Sequence, residues 1–196
     1  CKQPMKESYL LSGKLEESND AYAIAKIAGI IMCYNYSIKY RLNYQSLMPP
    51  NLFGPGDNYD LKNSHFFPAL LKKIYLAKIK KEKTLDVWGT GKPKRELMYV
   101  DDLAYACEFF LKKNIKAKLI NIGSGEERTI AQFYNFVMKK LKCNLKIKFD
   151  KKKLNGTPRK VLNCNLARSY GWKHKFSLEE GFELTYKDFL KNNKVN

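Results

Sequence analysis

The chain has 196 residues, of which 44% are hydrophobic and 13% aromatic, and this composition excludes a disordered chain and supports at least one packed core. It carries 37 Lys and Arg against 19 Asp and Glu, a formal net charge of +18 that raises the question of nucleic-acid binding. Because nearly all of this charge is Lys scattered along the chain, rather than Arg suited to reading bases, it favours a solvated Lys-rich surface over a nucleic-acid footprint.

Hydrophobic periodicity and turn signals predict a regular alternation of helices and strands after a polar loop over residues 1–18. The predicted helices cover 21–40, 64–79, 102–113, 130–141 and 177–190. The predicted strands cover 42–48, 85–88, 96–100, 119–122 and 145–149, with a turn-dense loop over 51–58. Strands that alternate with helices indicate an α/β protein.

Three helices begin next to residues that favour N-capping. We expect Asn19 or Asp20 to cap the first helix, Asp101 to cap the third and Thr129 to cap the fourth. The Gly123-x-Gly125 pair follows a strand but lacks a third glycine, so it predicts an ordinary strand-to-helix turn.

The helix over 21–40 is apolar on nearly every side of its axis. A helix of this kind is buried on more than one face, so we expect it to pack against its own sheet and against a second subunit in a homodimer. No apolar run reaches the roughly 18–20 residues that cross a bilayer, so the sequence predicts no transmembrane helix and no membrane partner.

The cysteine pattern offers neither a metal site nor a disulfide framework. The cysteines are Cys1, Cys33, Cys107, Cys143 and Cys164. Their number is odd and no C-x-x-C spacing occurs, which suits a reducing compartment, and we expect a cytoplasmic protein without a bound metal. Cys33 and Cys107 lie in apolar helical stretches and are expected to be buried thiols. No signal peptide is visible, and a start at Cys1 suggests a piece of a longer protein.

A Tyr and a Lys lie one helical turn apart near the start of the first helix, at Tyr22 and Lys26. An ammonium group beside a phenol stabilises the phenolate and makes the phenol a better acid. Such a Tyr can protonate a carbonyl oxygen while a nicotinamide delivers hydride, and the Lys can bind the nicotinamide ribose. The spacing is weak evidence alone, because Lys-rich helices contain it by chance.

The surrounding sequence resembles the extended short-chain dehydrogenase/reductase family, and within it the epimerase-reductases that make GDP-L-fucose. The matching segments are 18–29, 48–58, 63–65, 68–71, 87–91, 95–104, 121–125 and 156–160. The Tyr-Lys pair and the Gly-Pro loop are common to many sugar-nucleotide enzymes. His65 together with Trp88, Arg95 and the segment 156–160 is more specific.

The resemblance implies that GDP-4-keto-6-deoxy-mannose is epimerised at C3 and C5 through enolates and then reduced by NADPH. Tyr22 and Lys26 match the reductive pair, and His65 matches the family's acid/base histidine, whose intrinsic pKa suits proton transfer near neutral pH. The residues that match the NADP(H) site are Lys26, Pro49, Pro50, Asn51, Leu52 and His65.

The resemblance also implies a binding site for the GDP-sugar. Trp88 offers a flat face for guanine or ribose, and Arg95 offers a bidentate donor for the diphosphate. Lys73 stands where the family carries Arg, so it keeps the charge but loses the planar fork. Asn155 stands where the family often has Asp and cannot supply the same charge.

The implied fold is the C-terminal part of a Rossmann-like doubly wound sheet plus a smaller α/β substrate-binding domain. We expect residues 1–60 to complete the NADP-binding domain and residues 61–196 to form mainly the GDP-sugar domain, with some segments that return to the first. The Gly-rich phosphate loop and the family's catalytic Ser and Cys are not among these residues, and Cys1 matches a non-catalytic position. The 196 residues alone are therefore expected to be inactive.

Three other functions remain open. Another NAD(P)-dependent sugar-nucleotide epimerase or dehydratase would share Tyr22 and Lys26 but would not require His65 as an acid/base. A basic nucleic-acid or anion-binding module would bind with an affinity that falls steeply with salt and is unaffected by Tyr22→Phe. A catalytically inactive homologue would keep binding and lose chemistry.

Overall fold

A computed structural model describes residues 1–113, 115–153 and 155–192 of the chain. Its helices are α1 (Asp20–Tyr40), α2 (Phe66–Ile79), α3 (Val100–Leu111), α4 (Ile130–Lys140), α5 (Asn165–Ser169) and α6 (Leu178–Asn192). Its strands are β1 (Ser46–Met48), β2 (Asn51–Phe53), β3 (Thr84–Trp88), β4 (Lys94–Tyr99), β5 (Leu119–Asn121), β6 (Glu127–Thr129), β7 (Lys146–Asp150) and β8 (Arg159–Lys160). Two short 3-10 turns, Glu7–Tyr9 and Glu17–Asn19, interrupt the N-terminal loop.

The strands pair mostly in parallel. β1 pairs with β5, β2 with β4, β3 with β7 and β8 with β4, all in parallel register, while β4 and β6 are antiparallel. Parallel neighbours need crossover connections, and helices provide them here. The predicted α/β class is therefore confirmed.

Strand β4 lies between two hydrophobic clusters. Leu97 and Tyr99 belong to the larger cluster, which α2, α4 and α6 cover, whereas Met98 belongs to a smaller cluster beneath α3 and α5. Successive side chains of a strand point to opposite faces, so one strand contributes to both. The same alternation buries Leu85 and Val87 of β3 and leaves Trp88 exposed.

Helix α1 differs from its prediction in two respects. Ser37 is its only buried residue, so packing of α1 against its own sheet is wrong for the part of the chain described. Side chains such as Ile24 and Met32 are 57% and 58% exposed, which leaves an apolar surface uncovered by the residues that the structure describes. The helix is also long and apolar enough, by length and composition only, to cross a membrane, contrary to the sequence prediction. Polar residues interrupt its apolar run, but the mean hydropathy of the helix is still high enough for a membrane span. Core helices of soluble proteins reach the same mean hydropathy.

Short elements account for most differences in secondary structure. The strand predicted over 42–48 begins only at Ser46, and part of the predicted loop forms β2, because Asn51–Phe53 can pair with β4. The segment after Gly125 enters β6 rather than a helix. Strands β6 and β8 and helix α5 have five residues or fewer, too few to show a period in the sequence.

The predicted caps have mixed outcomes. Thr129 forms a capping box with Gln132, as expected. Capping by Asp101 is wrong, because α3 begins at Val100 and Asp101 lies in its first turn. Asn19 is the residue before α1 but makes no side-chain cap, and Asp20 Oδ1 instead accepts from the Ala21 amide at 2.6 Å.

The cysteines are all unpaired thiols, as expected. Cys164 is buried and Cys33 is half-buried. The prediction that Cys107 is buried is wrong, because α3 turns this residue toward solvent and fills the core with Ala106 and Phe110.

Candidate active site

Tyr22 and Lys26 lie on one face of α1, as their spacing predicts. The Lys26 Nζ atom is 5.6 Å from the centroid of the Tyr22 ring, and Tyr22 is 61% exposed. Among the described residues no carboxylate forms an ion pair with Lys26. Lys26 is exposed, so a ligand hydroxyl could reach its ammonium group.

The Pro49-Pro50 step moves the chain from one strand pair to another. β1, before it, pairs with β5, and β2, after it, pairs with β4, so the prolines sit half-buried where the two pairs meet. Asn51 is exposed and Leu52 half-buried at the start of β2. Proline has no amide N–H, which suits a junction where the ladder is interrupted.

His65 is exposed at the start of α2, where its carbonyl accepts from the Ala69 amide at 3.1 Å. The Asp57 carboxyl interacts electrostatically with His65. Burial raises the pKa of Asp57, and the hydrogen bond from the Asn58 amide and the charge of His65 oppose that rise. An exposed imidazole is a suitable acid/base.

Trp88 projects from the end of β3 and is 71% exposed, so it does not serve the core. Two ammonium groups approach its ring: the Lys73 Nζ atom at 5.9 Å and the Lys153 Nζ atom at 5.4 Å from the centroid. An exposed indole flanked by cations forms a surface on which an aromatic base can stack and an anion can bind.

Asn155 ties the segment after β7 to the turn after β3. Its Oδ1 atom accepts from the Thr90 amide at 2.7 Å and from the Thr90 hydroxyl at 2.9 Å. A Cβ atom on Gly89, whose φ is +81°, would lie 2.6 Å from this oxygen. The close approach needs glycine at position 89. The side-chain oxygen of Asn155 is already occupied by its hydrogen bonds to Thr90.

Glu16 interacts with several donor groups, which come from Arg95 and from the segment after Asn155. The Glu16 carboxylate accepts from Lys160 Nζ at 2.9 Å and from the Thr157 hydroxyl at 3.2 Å. The Lys160 hydrogen bond and charge, with a smaller effect of Arg95, hold the pKa of Glu16 below its usual value. Burial lowers the pKa of Arg95, and the charge of Glu16 opposes that effect.

Two further carboxylates hold the strands that carry these residues. Glu127 forms ion pairs with Lys94 at 2.7 Å and with Arg159. Burial alone would raise the pKa of Glu127, but the hydrogen bonds and charges of these partners hold it below its usual value. Glu96 is fully buried and accepts from the amides of Gly125 at 2.8 Å and Leu162 at 2.9 Å.

The structure brings the predicted substrate residues into one line. The Lys73 ammonium group lies over the Trp88 ring, and Thr90 in the turn after Trp88 donates to Asn155. Gly156, the next residue, lies close to Arg95: a Cβ atom built on it would be 3.7 Å from the Arg95 Nη2 atom. Among the described residues no hydrogen bond, ion pair or ring–cation contact joins this line to the Tyr22–Lys26 pair or to His65. A cavity of about 930 Å³ between α4 and α6 is lined by none of the predicted site residues.

Sequence reasoning missed Glu16, Thr90 and Lys153. Lys153 belongs to a run of three lysines that resembles an ordinary solvated surface, and nothing local separates it from its neighbours. Glu16 and Thr90 act on residues far away in the chain, so only the folded arrangement identifies them. The arrangement as a whole can stack a flat base and bind adjacent phosphates.

Comparison with protein families gives a match to the NAD dependent epimerase/dehydratase family over residues 1–123. Among curated proteins the chain is 44% identical over 190 residues to a GDP-L-fucose synthase of Sinorhizobium fredii, covering 97% of this chain and 60% of that protein. It is 42% identical over 201 residues to the GDP-L-fucose synthase of Escherichia coli, covering 98% of this chain and 63% of that protein. The chain thus spans about three fifths of the length of these relatives.

The fold of the chain is also similar to that of a solved structure. The GDP-L-fucose synthetase of Naegleria fowleri bound to NADP superposes with a TM-score of 0.87 at 26% identity. The match covers 98% of this chain and 62% of that one.

Proposed function

Because the chain belongs to the NAD dependent epimerase/dehydratase family, we propose that it is part of an NADPH-dependent epimerase-reductase that converts GDP-4-keto-6-deoxy-D-mannose to GDP-L-fucose. The identity of 42–44% to two GDP-L-fucose synthases supports this substrate. The single observation that carries the chemistry is the Tyr22–Lys26 pair on α1, with the ammonium group 5.6 Å from the ring centroid.

NADPH, when bound, would supply the hydride for the 4-keto group. Lys26 would bind the nicotinamide ribose through its ammonium group and make the neighbouring phenol more acidic. Tyr22 would donate its hydroxyl proton to the ketone oxygen as the alcohol forms. Pro49, Pro50, Asn51, Leu52 and His65 would line the nicotinamide end of the site.

Epimerisation requires proton transfers at the carbons beside the ketone, and we assign His65 to one of them. The 4-keto group acidifies the protons at C3 and C5, and a neutral imidazole can accept or return a proton near pH 7. The exposure of His65 supports this role.

The line of residues from Lys73 to Lys160 would bind the GDP part of the substrate. Trp88 would stack on guanine or ribose, with Lys73 at its edge, and Arg95 would bind the diphosphate. Asn155 would fix the loop beneath the ligand rather than supply charge, because its Oδ1 atom already accepts two hydrogen bonds from Thr90.

We further propose a homodimer through α1 and a soluble, cytoplasmic protein without a specific nucleic-acid or membrane partner. The exposed Ile24, Met32 and Ile38 side chains on α1 support a protein partner. Tyr22 and Lys26 lie on the same helix, and a catalytic pair there argues against a membrane span. We assign residues 1–60 to the cofactor domain and 61–196 mainly to the substrate domain, and we expect the 196 residues alone to be inactive.

The experiment uses the chain extended to the full length of its relatives, mixed with GDP-4-keto-6-deoxy-mannose and NADPH, and follows the absorbance of the reduced cofactor. We expect oxidation of NADPH and formation of GDP-L-fucose. Tyr22→Phe should lower kcat about 10²- to 10⁴-fold. No oxidation by the unchanged protein would refute the proposal.

A second variant separates this enzyme from another sugar-nucleotide reductase or epimerase of the same family. His65→Gln should block epimerisation and leave direct reduction of the ketone, so that the product retains the configuration of the substrate at C3 and C5. Unchanged fucose formation by His65→Gln would favour the alternative, in which His65 has no acid/base role.

A further inference from the structure

Glu16 occupies the place in the candidate site where an anionic ligand would be expected. Its carboxylate lies between Lys160 Nζ at 2.9 Å and the Thr157 hydroxyl at 3.2 Å, and its charge acts on the Arg95 guanidinium. Glu16 comes from the N-terminal loop, whereas its partners lie more than 75 positions later in the chain. The contact therefore links two segments that the sequence separates widely.

Two other cations on these strands already have a partner. Lys94 and Arg159 both pair with Glu127, whose side chain is only 16% exposed. The Arg95 Nη1 atom donates to the Lys94 carbonyl at 2.7 Å, which fixes the orientation of its guanidinium group. Lys160 is the cation with which Glu16 forms an ion pair, and the charge of Glu16 also acts on the Arg95 guanidinium.

The contact of Glu16 with Lys160 is exposed and weak. The two side chains are 45% and 44% exposed, and ion pairs of this kind add little to stability and exchange readily with solvent. A diphosphate carries more charge and more acceptor oxygens than one carboxylate, and it can engage a guanidinium group through two hydrogen bonds. It would therefore compete successfully for the same donors.

We propose that Glu16 is a displaceable internal anion, which occupies the Arg95–Thr157–Lys160 cluster until the diphosphate of a nucleotide sugar replaces it. The inference rests on the proposed function and adds a residue that sets the affinity of the same site. Glu16 is the residue before the 3-10 turn that leads into α1, six positions before Tyr22. Displacement of its side chain by the substrate would thus free the loop that precedes the reductive pair.

The test is calorimetric titration of the protein with GDP, pyrophosphate and guanosine. Glu16→Gln keeps the size of the side chain and removes the competing charge, so it should lower the Kd of GDP and of pyrophosphate about two- to fivefold. It should leave the Kd of guanosine unchanged, and the gain should fade at high salt. Glu16→Ala should give the same sign.

The matched control is Glu108→Gln. It removes one carboxylate that pairs with Lys112 on the exposed face of α3, so the net charge changes equally without any change at the cluster. Equal strengthening by Glu108→Gln would show a general charge effect and overturn the inference. Weaker or unchanged GDP binding by Glu16→Gln would also overturn it, since a residue that merely positions Lys160 would weaken binding when altered.

Arg95→Met separates failure of this inference from failure of the proposed function. If the unchanged protein binds GDP and Arg95→Met weakens that binding, while Glu16→Gln gives no gain, only the role of Glu16 is wrong. If the unchanged protein binds neither GDP nor pyrophosphate, both the proposed function and the inference are wrong.

Discussion

The Oδ1 atom of Asn155 accepts two hydrogen bonds from a single residue, Thr90. The backbone amide of Thr90 donates one at 2.7 Å, and the Thr90 hydroxyl donates the other at 2.9 Å. This relationship holds the loop after β7 against the turn that follows Trp88. Either Asn or Asp could make this contact, because both side chains offer the acceptor oxygen that Thr90 requires.

Substitutions at position 155 should therefore separate the acceptor from the charge. Asn155→Asp keeps both hydrogen bonds and should change the free energy of unfolding by less than about 0.5 kcal/mol, whereas Asn155→Ala loses both and should cost about 1 kcal/mol. Denaturant unfolding measures both values. An Asn155→Ala variant as stable as the unchanged protein would show that the loop does not depend on Thr90.

Trp88 should contribute to ligand binding and not to stability. Trp88→Leu should raise the Kd of GDP about tenfold, because it removes the stacking surface, and should change the unfolding free energy by less than about 0.5 kcal/mol. The second tryptophan, Trp172, is buried, so quenching of fluorescence by GDP should come from Trp88 and should disappear in Trp88→Phe. Quenching that persists in that variant would place the ligand elsewhere.

Glu96 and Glu127 should give opposite dependences of stability on pH. Burial raises the pKa of Glu96 above its usual 4.5, so its contribution is fully present below pH 4.5 and is lost as pH rises through the folded pKa. The pKa of Glu127 is lowered, so its contribution is present above pH 4.5 and is lost as pH falls through the folded pKa.

Unfolding free energies of Glu96→Gln and Glu127→Gln across a pH series measure this contrast. The cost of Glu96→Gln relative to the unchanged protein should shrink as pH rises, since only the unchanged protein must bury a charge. The cost of Glu127→Gln should shrink as pH falls, since protonation removes the pairs with Lys94 and Arg159. Parallel pH curves for both variants would contradict these assignments.

The cysteines should differ in reactivity because the thiolate is the reactive form. Burial, with a contribution from the Glu96 charge, raises the pKa of Cys164 to about 12, whereas Cys1 and Cys107 are exposed. Iodoacetamide at mildly alkaline pH should modify Cys1 and Cys107 in the native protein, and Cys164 only after unfolding. Peptide mapping by mass spectrometry distinguishes these sites, and rapid native labelling of Cys164 would refute its burial.

Local patterns predicted the long elements well. Helices α2, α4 and α6 follow the expected spans closely, and Thr129 caps α4 as expected. The failures fall where the decisive interaction is not local. Helix α3 begins at Val100, and the Asp102 side chain in its first turn accepts from the amides of Lys175 at 2.6 Å and Phe176 at 3.3 Å, more than 70 residues away.

The sequence by itself determined the α/β class and the placement of Tyr22 and Lys26 on one helix face, because each follows from helical or strand periodicity over a few residues. The exposure of Trp88, by contrast, was decided by the tertiary structure. Only the tertiary structure brought Lys153 to the Trp88 ring, Asn155 to Thr90 and Glu16 to Lys160. These contacts join residues far apart in the chain. They form only when the parallel strands, which long crossover segments connect, have paired side by side. One-dimensional spacing carries no information about which of many lysines or glutamates will meet there.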